Sequence, residues 1–208
     1  MGEAALKLKQ LFTWDDYLTW PDDERWEIID GEAFSKSPSP NWRHQDICGA
    51  LLVSMTPHFR KGPCKLFISP LDVKLSDEDI VQPDLLVVCD EKQKTERGHI
   101  EGPPKLAVEI LSPSSTMHDR IRKMRLYAKF GVHEYWIVTP HQPSVEIFVL
   151  QNGEYVLRGL FLKEDTLSSP SFPGLTFPLA EIFTAPPDPD AAPPMIAREP
   201  TAKYAVAP

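Results

Sequence analysis

The chain has 208 residues, of which 42% are hydrophobic and 25% charged, an ordinary globular composition that sets aside wholesale disorder, collagen and coiled coil. Its formal charge of −8 repels nucleic acid at long range, so any contact with nucleic acid must rest on a local patch. The 22 prolines are about twice the usual share and favour strands joined by turns over long helices.

In chain order, Thr13 before Trp14, Asp15 and Asp16 predicts a capped short helix running to about Trp20, closed by Pro21. Arg25 to Ile29 reads as a strand, Asp30-Gly31 as a tight turn, and Glu32 to Ser35 as the returning strand of a hairpin. A Ser-Pro loop over residues 37–40 leads to a helix from Arg43 to Phe59, whose apolar face recurs every four residues at Ile47, Leu51, Met55 and Phe59, with Pro57 fraying its end. Strands are predicted over Lys65 to Leu75 (interrupted near Pro70), Ile80 to Cys89, and Leu106 to Leu111, the last two apolar almost throughout, as suits strands covered on both faces. A helix follows from Thr116, with Asp119 in a capping-box-like position, to Phe130, where Gly131 stops it. Glu134 to Val138, Ser144 to Leu150 and Tyr155 to Leu162 complete a mixed α/β (α+β) arrangement. The expectation is one domain over residues 1–184 and a Pro/Ala-rich tail over 185–208.

The first ten residues lack the apolar core of a signal peptide and no run of about 18 apolar residues exists, so a cytoplasmic protein without a membrane partner is expected. Cys48, Cys64 and Cys89 are odd in number and show no C-x-x-C spacing. That argues against a disulfide framework and favours small buried hydrophobes.

Three side chains fit poorly in a core. Strand alternation places Asp84 on one face with Gln82, Leu86 and Val88, and Glu109 lies between Val108 and Ile110. A carboxylate in such surroundings must be protonated, paired with a cation, or bound to a metal. On the Thr116–Phe130 helix, Lys123 is grouped with Leu126, Tyr127, Phe130, Asp119 and Arg120, while Arg122, Arg125 and Lys129 cluster elsewhere. Lys123 therefore either snorkels along apolar surface or reaches a buried anion such as Asp84 and Glu109. Two carboxylates suit magnesium, which keeps several waters and binds a substrate phosphate, and a neighbouring lysine can orient water or stabilise charge. These are the parts of phosphodiester hydrolysis.

Residues from about Trp26 to Val149 resemble the Uma-two family of endonucleases within the restriction-endonuclease-like PD-(D/E)XK superfamily. The stretches that carry the resemblance are Trp26 to Glu32, Ser39-Pro40 with Arg43-His44-Gln45, Ser69 to Val73, Val81 to Leu85, Val108 to Ser114, Asp119-Arg120 through Lys123 and Tyr127, and Glu134-Tyr135-Trp136. Their joint order is specific where each alone is not. The resemblance implies a mixed β-sheet flanked by helices, preceded by the N-terminal helix and hairpin, with the motif aspartate on Asp84 and the motif glutamate on Glu109. The superfamily lysine belongs two residues after the glutamate, where this chain has Leu111, and the resemblance suggests Lys123 in its place.

Glu27 and His44 also match family positions. Glu27 reads as a further acid at the metal site or as an exposed hairpin residue, and His44 as a phosphate or proton-transfer group or as a structural histidine. Arg120 and Gln82 are taken as substrate contacts. Asp72 is expected in a surface pair with Lys74, and His58, His99, His118, His133 and His141 show no ligand spacing. Arg120, Arg122, Lys123, Arg125 and Lys129 form either a phosphate-binding patch or a solvated helix face. The resulting expectation is a magnesium- or manganese-dependent endonuclease acting on DNA. Asp84 and Glu109 hold the metal, and Lys123, Glu27 and His44 assist. Edge strands suit a homodimer. The rival expectation is a non-catalytic protein of the same fold, binding a partner protein or nucleic acid, in which Lys123 merely neutralises the acids.

Overall fold

The computed structural model describes residues 11–21, 23–36, 40–112 and 116–185. Its elements in chain order are α1 (Trp14–Tyr17), β1 (Trp26–Ile29), β2 (Glu32–Ser35), α2 (Trp42–Phe59), β3 (Lys65–Ile68), β4 (Val73–Ser76), β5 (Asp79–Val81), β6 (Leu85–Val88), β7 (Ile100–Glu101), β8 (Leu106–Ile110), a π-helical segment (His118–Lys123), α3 (Met124–Phe130), β9 (Glu134–Thr139), β10 (Ser144–Gln151), β11 (Glu154–Leu162), β12 (Thr166–Ser168) and β13 (Thr176–Pro178). The strands form a six-stranded sheet in the order β11-β10-β9-β8-β6-β3, a five-stranded sheet in the order β2-β1-β5-β4-β7, and the pair β12-β13. In the larger sheet β8 and β9 are parallel and the other neighbours antiparallel, so the expected mixed sheet is present.

Local chemistry explains the hairpin and the two longer helices. Asp30 and Gly31 both have positive φ, 49° and 74°, the type I′ turn whose twist matches the flanking strands. Asn41 caps α2 by accepting the His44 N–H at 3.0 Å. Pro57 lies inside that helix and does not end it; the carbonyl left without an N–H partner belongs to the exposed Val53. Gly131, at φ 84°, terminates α3 in the left-handed region.

Both faces of the larger sheet are covered. Val108, Ile110, Trp136 and Val138 pack with Ile47, Leu51 and Met55 of α2 and with Leu167 to Phe183 of the C-terminal segment. Ala107, Leu111, Tyr135 and Ile137 pack with Leu126 and Tyr127 of α3 and with Ile29, Val73 and Val81 of the smaller sheet. Alternation along β8 puts Glu109 on the second of these faces, beneath α3. Polar β8 residues have no route to water there except through the cleft described below.

Four expectations change. The run from Lys65 to Leu75 is two strands in different sheets, β3 and β4, and Ser69-Pro70 between them is cis. The run from Ile80 to Cys89 splits likewise into β5 and β6, so Asp84 occupies a bend between sheets and not a position in a continuous strand. Pro83 makes that break intelligible, because it has no N–H for a ladder. The helix expected from Thr116 opens with the π-helical turns His118–Lys123. Finally, Cys64 and Cys89 form a disulfide, S–S 2.08 Å, because the pairing Lys65↔Val88 leaves them opposite one another one residue beyond the ladder. Cys48 is buried as expected. The predicted tail lies outside the described residues apart from Ala185, as do parts of the predicted loops at 37–40 and 112–114.

Candidate active site

A cleft of about 840 Å³ opens where the two sheets meet. Its lining includes Glu27, His44, Asp84, Glu109 and Lys123, the five residues singled out in the sequence for chemistry. Each arrives by a different element. The β6–β8 register pairs Leu85 with Val108, and one further step places Asp84 across from Glu109. The Ile110 N–H donates to Asp84 Oδ2 at 2.8 Å and ties the bend to β8. Glu27 projects from β1, His44 from the first turn of α2, and Lys123 from the last π-helical turn.

Lys123 is 1% exposed and does not snorkel. Its Nζ lies 2.8 Å from Glu109 Oε1, 2.8 Å from Glu27 Oε1 and 3.4 Å from Asp119 Oδ1. Tyr127 donates from its hydroxyl to Glu109 Oε1 at 2.8 Å. Burial alone would drive the amine's pKa down, but Glu109, Glu27 and Asp119 outweigh it and hold it well above the usual lysine range. π-helical turns recur at functional sites, and here they end on a lysine surrounded by carboxylates.

The carboxylates differ. Burial opposes the ionisation of Glu27, but Lys123, Lys36 and a hydrogen bond from His118 outweigh it, leaving the group well below its ordinary value. Lys36 Nζ reaches Glu27 Oε1 at 3.4 Å, the Gln82 N–H donates to the same oxygen at 2.8 Å, and His118 Nε2 lies 3.3 Å from Oε2. Glu27 is therefore neither exposed nor loosely held. Asp84 is lowered too: burial pushes up, and His44, Lys36 and the Ile110 N–H pull down. His44 Nε2 sits 3.1 Å from Asp84 Oδ2, and its buried Nδ1 has no hydrogen-bond partner among the described residues.

Glu109 goes the other way. Burial pushes its carboxyl up to about 8 against the pull of Lys123, with Asp119 and Asp84 adding repulsion. Lys123 has three carboxylates on it, and a proton on Glu109 helps balance the set. A group that binds its proton more tightly when folded contributes stability that is complete below its ordinary value of 4.5 and is lost as pH rises through about 8. Metal-free wild-type protein is therefore expected to lose stability between about pH 5 and pH 8 relative to Glu109→Gln, as read by urea unfolding at a series of pH values. Parallel profiles for the two proteins would place the proton elsewhere.

The side chains of two proposed substrate contacts are engaged elsewhere, although the Gln82 backbone N–H bonds Glu27. The Gln82 side chain accepts from Arg25 Nε at 3.1 Å and donates to Asp72 at 2.8 Å and Tyr17 at 3.3 Å, and Arg120 is bonded to Glu146 and Thr139. Neither lines the cleft. Asp72, expected in a surface pair, instead accepts from Tyr17 and Gln82, while Lys74 pairs with Asp77 at 2.9 Å and Glu101 at 3.4 Å. Four residues that the sequence reading gave no chemical role complete the cluster: Asp119, His118, Tyr127 and Lys36; Asp119, expected in a capping box, reaches Lys123 Nζ instead. Asp119 and Tyr127 sit four residues either side of Lys123, a spacing that carries the signal. His118 and Lys36 carry none.

The donor set fits a hard divalent cation. Asp84 Oδ1 and Glu109 Oε2 accept no hydrogen bond from another described residue, whereas their sister oxygens do. Among the described residues no three His, Cys, Asp or Glu side chains group as a metal cage. Two carboxylates and several waters is a coordination magnesium accepts. Cys48 is no rival nucleophile, since burial and then Asp84 push its thiol up to about 12. No helix among the described residues is long and apolar enough to cross a membrane.

Comparison with known proteins adds three findings. A family profile described as "Uma2: Putative restriction endonuclease" matches residues 14–180. An uncharacterized protein of Synechocystis sp., slr1290, is 28% identical over 154 residues, covering 73% of this chain and 74% of its own. The crystal structure of a putative nuclease belonging to DUF820 from Anabaena variabilis superposes with a TM-score of 0.68 at 22% identity, covering 83% of this chain and 98% of that one, which establishes a shared fold.

Proposed function

Because the chain belongs to the Uma2 family, whose profile spans most of its length, we propose that it is a metal-dependent nuclease that hydrolyses phosphodiester bonds of DNA, with Asp84 and Glu109 as the metal pair. The observation that carries this reading is the Lys123 ammonium, fully buried and held at 2.8 Å from both Glu109 and Glu27 at the base of a cleft. A fold needing only a core would place an apolar residue there at lower desolvation cost.

Magnesium or manganese would be held by Asp84 Oδ1 and Glu109 Oε2, and when bound supplies Lewis acidity toward a phosphate oxygen and an acidified water. The chain's own groups do the rest. His44, bonded to Asp84 Oδ2, fixes the orientation of that carboxylate, as outer partners of metal ligands do. Tyr127 and Lys123 hold Glu109 Oε1 and leave Oε2 without a donor among the described residues. Lys123 brings fixed positive charge to within hydrogen-bond range of the carboxylates, where it offsets charge developing on a phosphate without needing to reorganise. Glu27 and Asp119 keep that amine protonated and in place.

Supercoiled plasmid and single-stranded DNA incubated with magnesium or manganese test the proposal beside an Asp84→Ala control. Cleavage by the wild type alone supports it, and equal activity in both proteins removes this site from the chemistry. A melting experiment separates it from a closed, non-catalytic ion-pair cluster. At about ten times Kd, a ligand confined to the folded state stabilises by about 1.4 kcal/mol, so magnesium is expected to raise the wild-type midpoint by about 3–5 °C. A midpoint unmoved by either cation favours the closed cluster.

A further inference from the structure

The cleft's walls carry a feature that phosphate recognition does not require. Its acids, Glu27, Asp84, Glu109 and Asp119, are all buried, so they form a floor. The rest of the lining includes cations and exposed apolar side chains: Met117 is 71% and Ile121 39% accessible, both lining the cleft beside Arg122. Next in sequence to the cleft-lining Asn41 and Arg43, Trp42 is 58% accessible at the start of α2, with the Arg43 guanidinium 4.4 Å above its ring. Arg43 itself lines the cleft, and its buried Nε has no hydrogen-bond partner among the described residues. The Arg122 guanidinium lies 4.8 Å over the Phe34 ring.

A regular duplex offers phosphates, sugars and base edges, which such apolar groups cannot satisfy. Unpaired nucleotides expose the faces of their bases, which stack on aromatic rings and on guanidinium planes, while cations follow the backbone. Apolar rings backed by cations, Trp42 by Arg43 and Phe34 by Arg122, near an acidic floor in a protein of net charge −8, match a strand with its bases turned outward.

On the proposed nuclease reading, we infer that the cleft and the adjoining start of α2 take single-stranded or locally unpaired nucleic acid, with a base stacked on Trp42 and its phosphate drawn to the cleft-lining Arg43. The test is fluorescence anisotropy with the full chain in metal-free buffer containing chelator. A labelled oligonucleotide of about a dozen nucleotides is compared with its blunt duplex. The single strand is expected to bind at least about tenfold tighter. Trp42→Ala should weaken it by about 5- to 100-fold, the worth of one base–aromatic stack, while duplex binding stays within about twofold and Trp42→Phe retains most of the affinity. Because Trp42 is largely exposed, the melting midpoint of each variant should match the wild type and exclude misfolding as the cause. Equal binding of strand and duplex, or an equal loss on both in Trp42→Ala, overturns the inference and leaves the nuclease reading standing. No binding to either also overturns the inference, while the plasmid cleavage assay with metal decides the nuclease reading by itself.

Discussion

Replacing Asp84 by asparagine is expected to lower the cleavage rate by about 100- to 1000-fold while leaving the fold intact. On the proposed mechanism the side chain has two separable jobs. Its Oδ2 anchors the bend between β5 and β6 by accepting the Ile110 N–H at 2.8 Å and facing His44 Nε2 at 3.1 Å. An asparagine carbonyl oxygen can accept both contacts, so the bend keeps its ties and the melting midpoint should move by only a few degrees. The other job is that of an anionic oxygen directed to the cleft, which an amide does not supply to magnesium. Losing one preorganised charge stabiliser costs about 3–4 kcal/mol of barrier in comparable sites, which is the stated rate loss. The magnesium-induced rise in midpoint should vanish with the activity. Measured together, cleavage and melting distinguish the jobs: retained activity in Asp84→Asn removes the carboxylate from the chemistry, and a collapsed midpoint assigns it to structure alone.

Lys123→Met is expected to do the opposite, costing about 3–5 kcal/mol of folding stability in addition to activity. Methionine keeps the length of the side chain and removes the charge. Glu27, Glu109 and Asp119, all buried, would then share a site without their ammonium. Removing one partner of a buried ion pair costs about that amount, because the remaining charge stays desolvated and unpaired. Against a total stability of about 5–15 kcal/mol this is severe. The loss should shrink as pH falls toward the carboxylate range, where protonation relieves the repulsion. Denaturant titration at neutral and acid pH measures it. A cost below about 1 kcal/mol at neutral pH would mean that the acids reach water or are already neutral.

How far the site was legible in the sequence depends on the kind of signal each residue leaves. Glu109 was visible because it interrupts an apolar strand, and the strand is there, buried from Leu106 to Ile110. Lys123 was visible because helical periodicity set it apart from its cationic neighbours, even though the segment winds as a π-helix and the angular argument used α-helical spacing. The pairing survived because Tyr127 and Asp119 flank the lysine under either count. Asp84 was found for a partly wrong reason: alternation assumed a strand, and the chain instead bends there between two sheets. Hydrophobic patterning reports burial but not which sheet a strand joins, so it shows the split at Pro70 only as an interruption and runs straight through the one at Pro83. Lys36 and His118 reach Glu27 across nine and 91 residues. The disulfide joins cysteines 25 residues apart. Contacts of that range leave no local trace. Arg120 and Gln82, near Lys123 and Asp84 in sequence, do not line the cleft, their side chains being held by Glu146 and Thr139 and by Arg25, Asp72 and Tyr17.

The position of Lys123 has a consequence for how this architecture can vary. Glu109 belongs to the six-stranded sheet and Asp84 leads directly into it, whereas Glu27 comes from the five-stranded one. One ammonium fastens the two together like a rivet through a seam. Sliding or twisting either sheet against the other changes where that amine sits, yet the separation of the two carboxylates is fixed by the ladder between β6 and β8. On the proposed function, the hairpin can therefore vary to admit different substrates while the β6–β8 ladder keeps Asp84 and Glu109 in register.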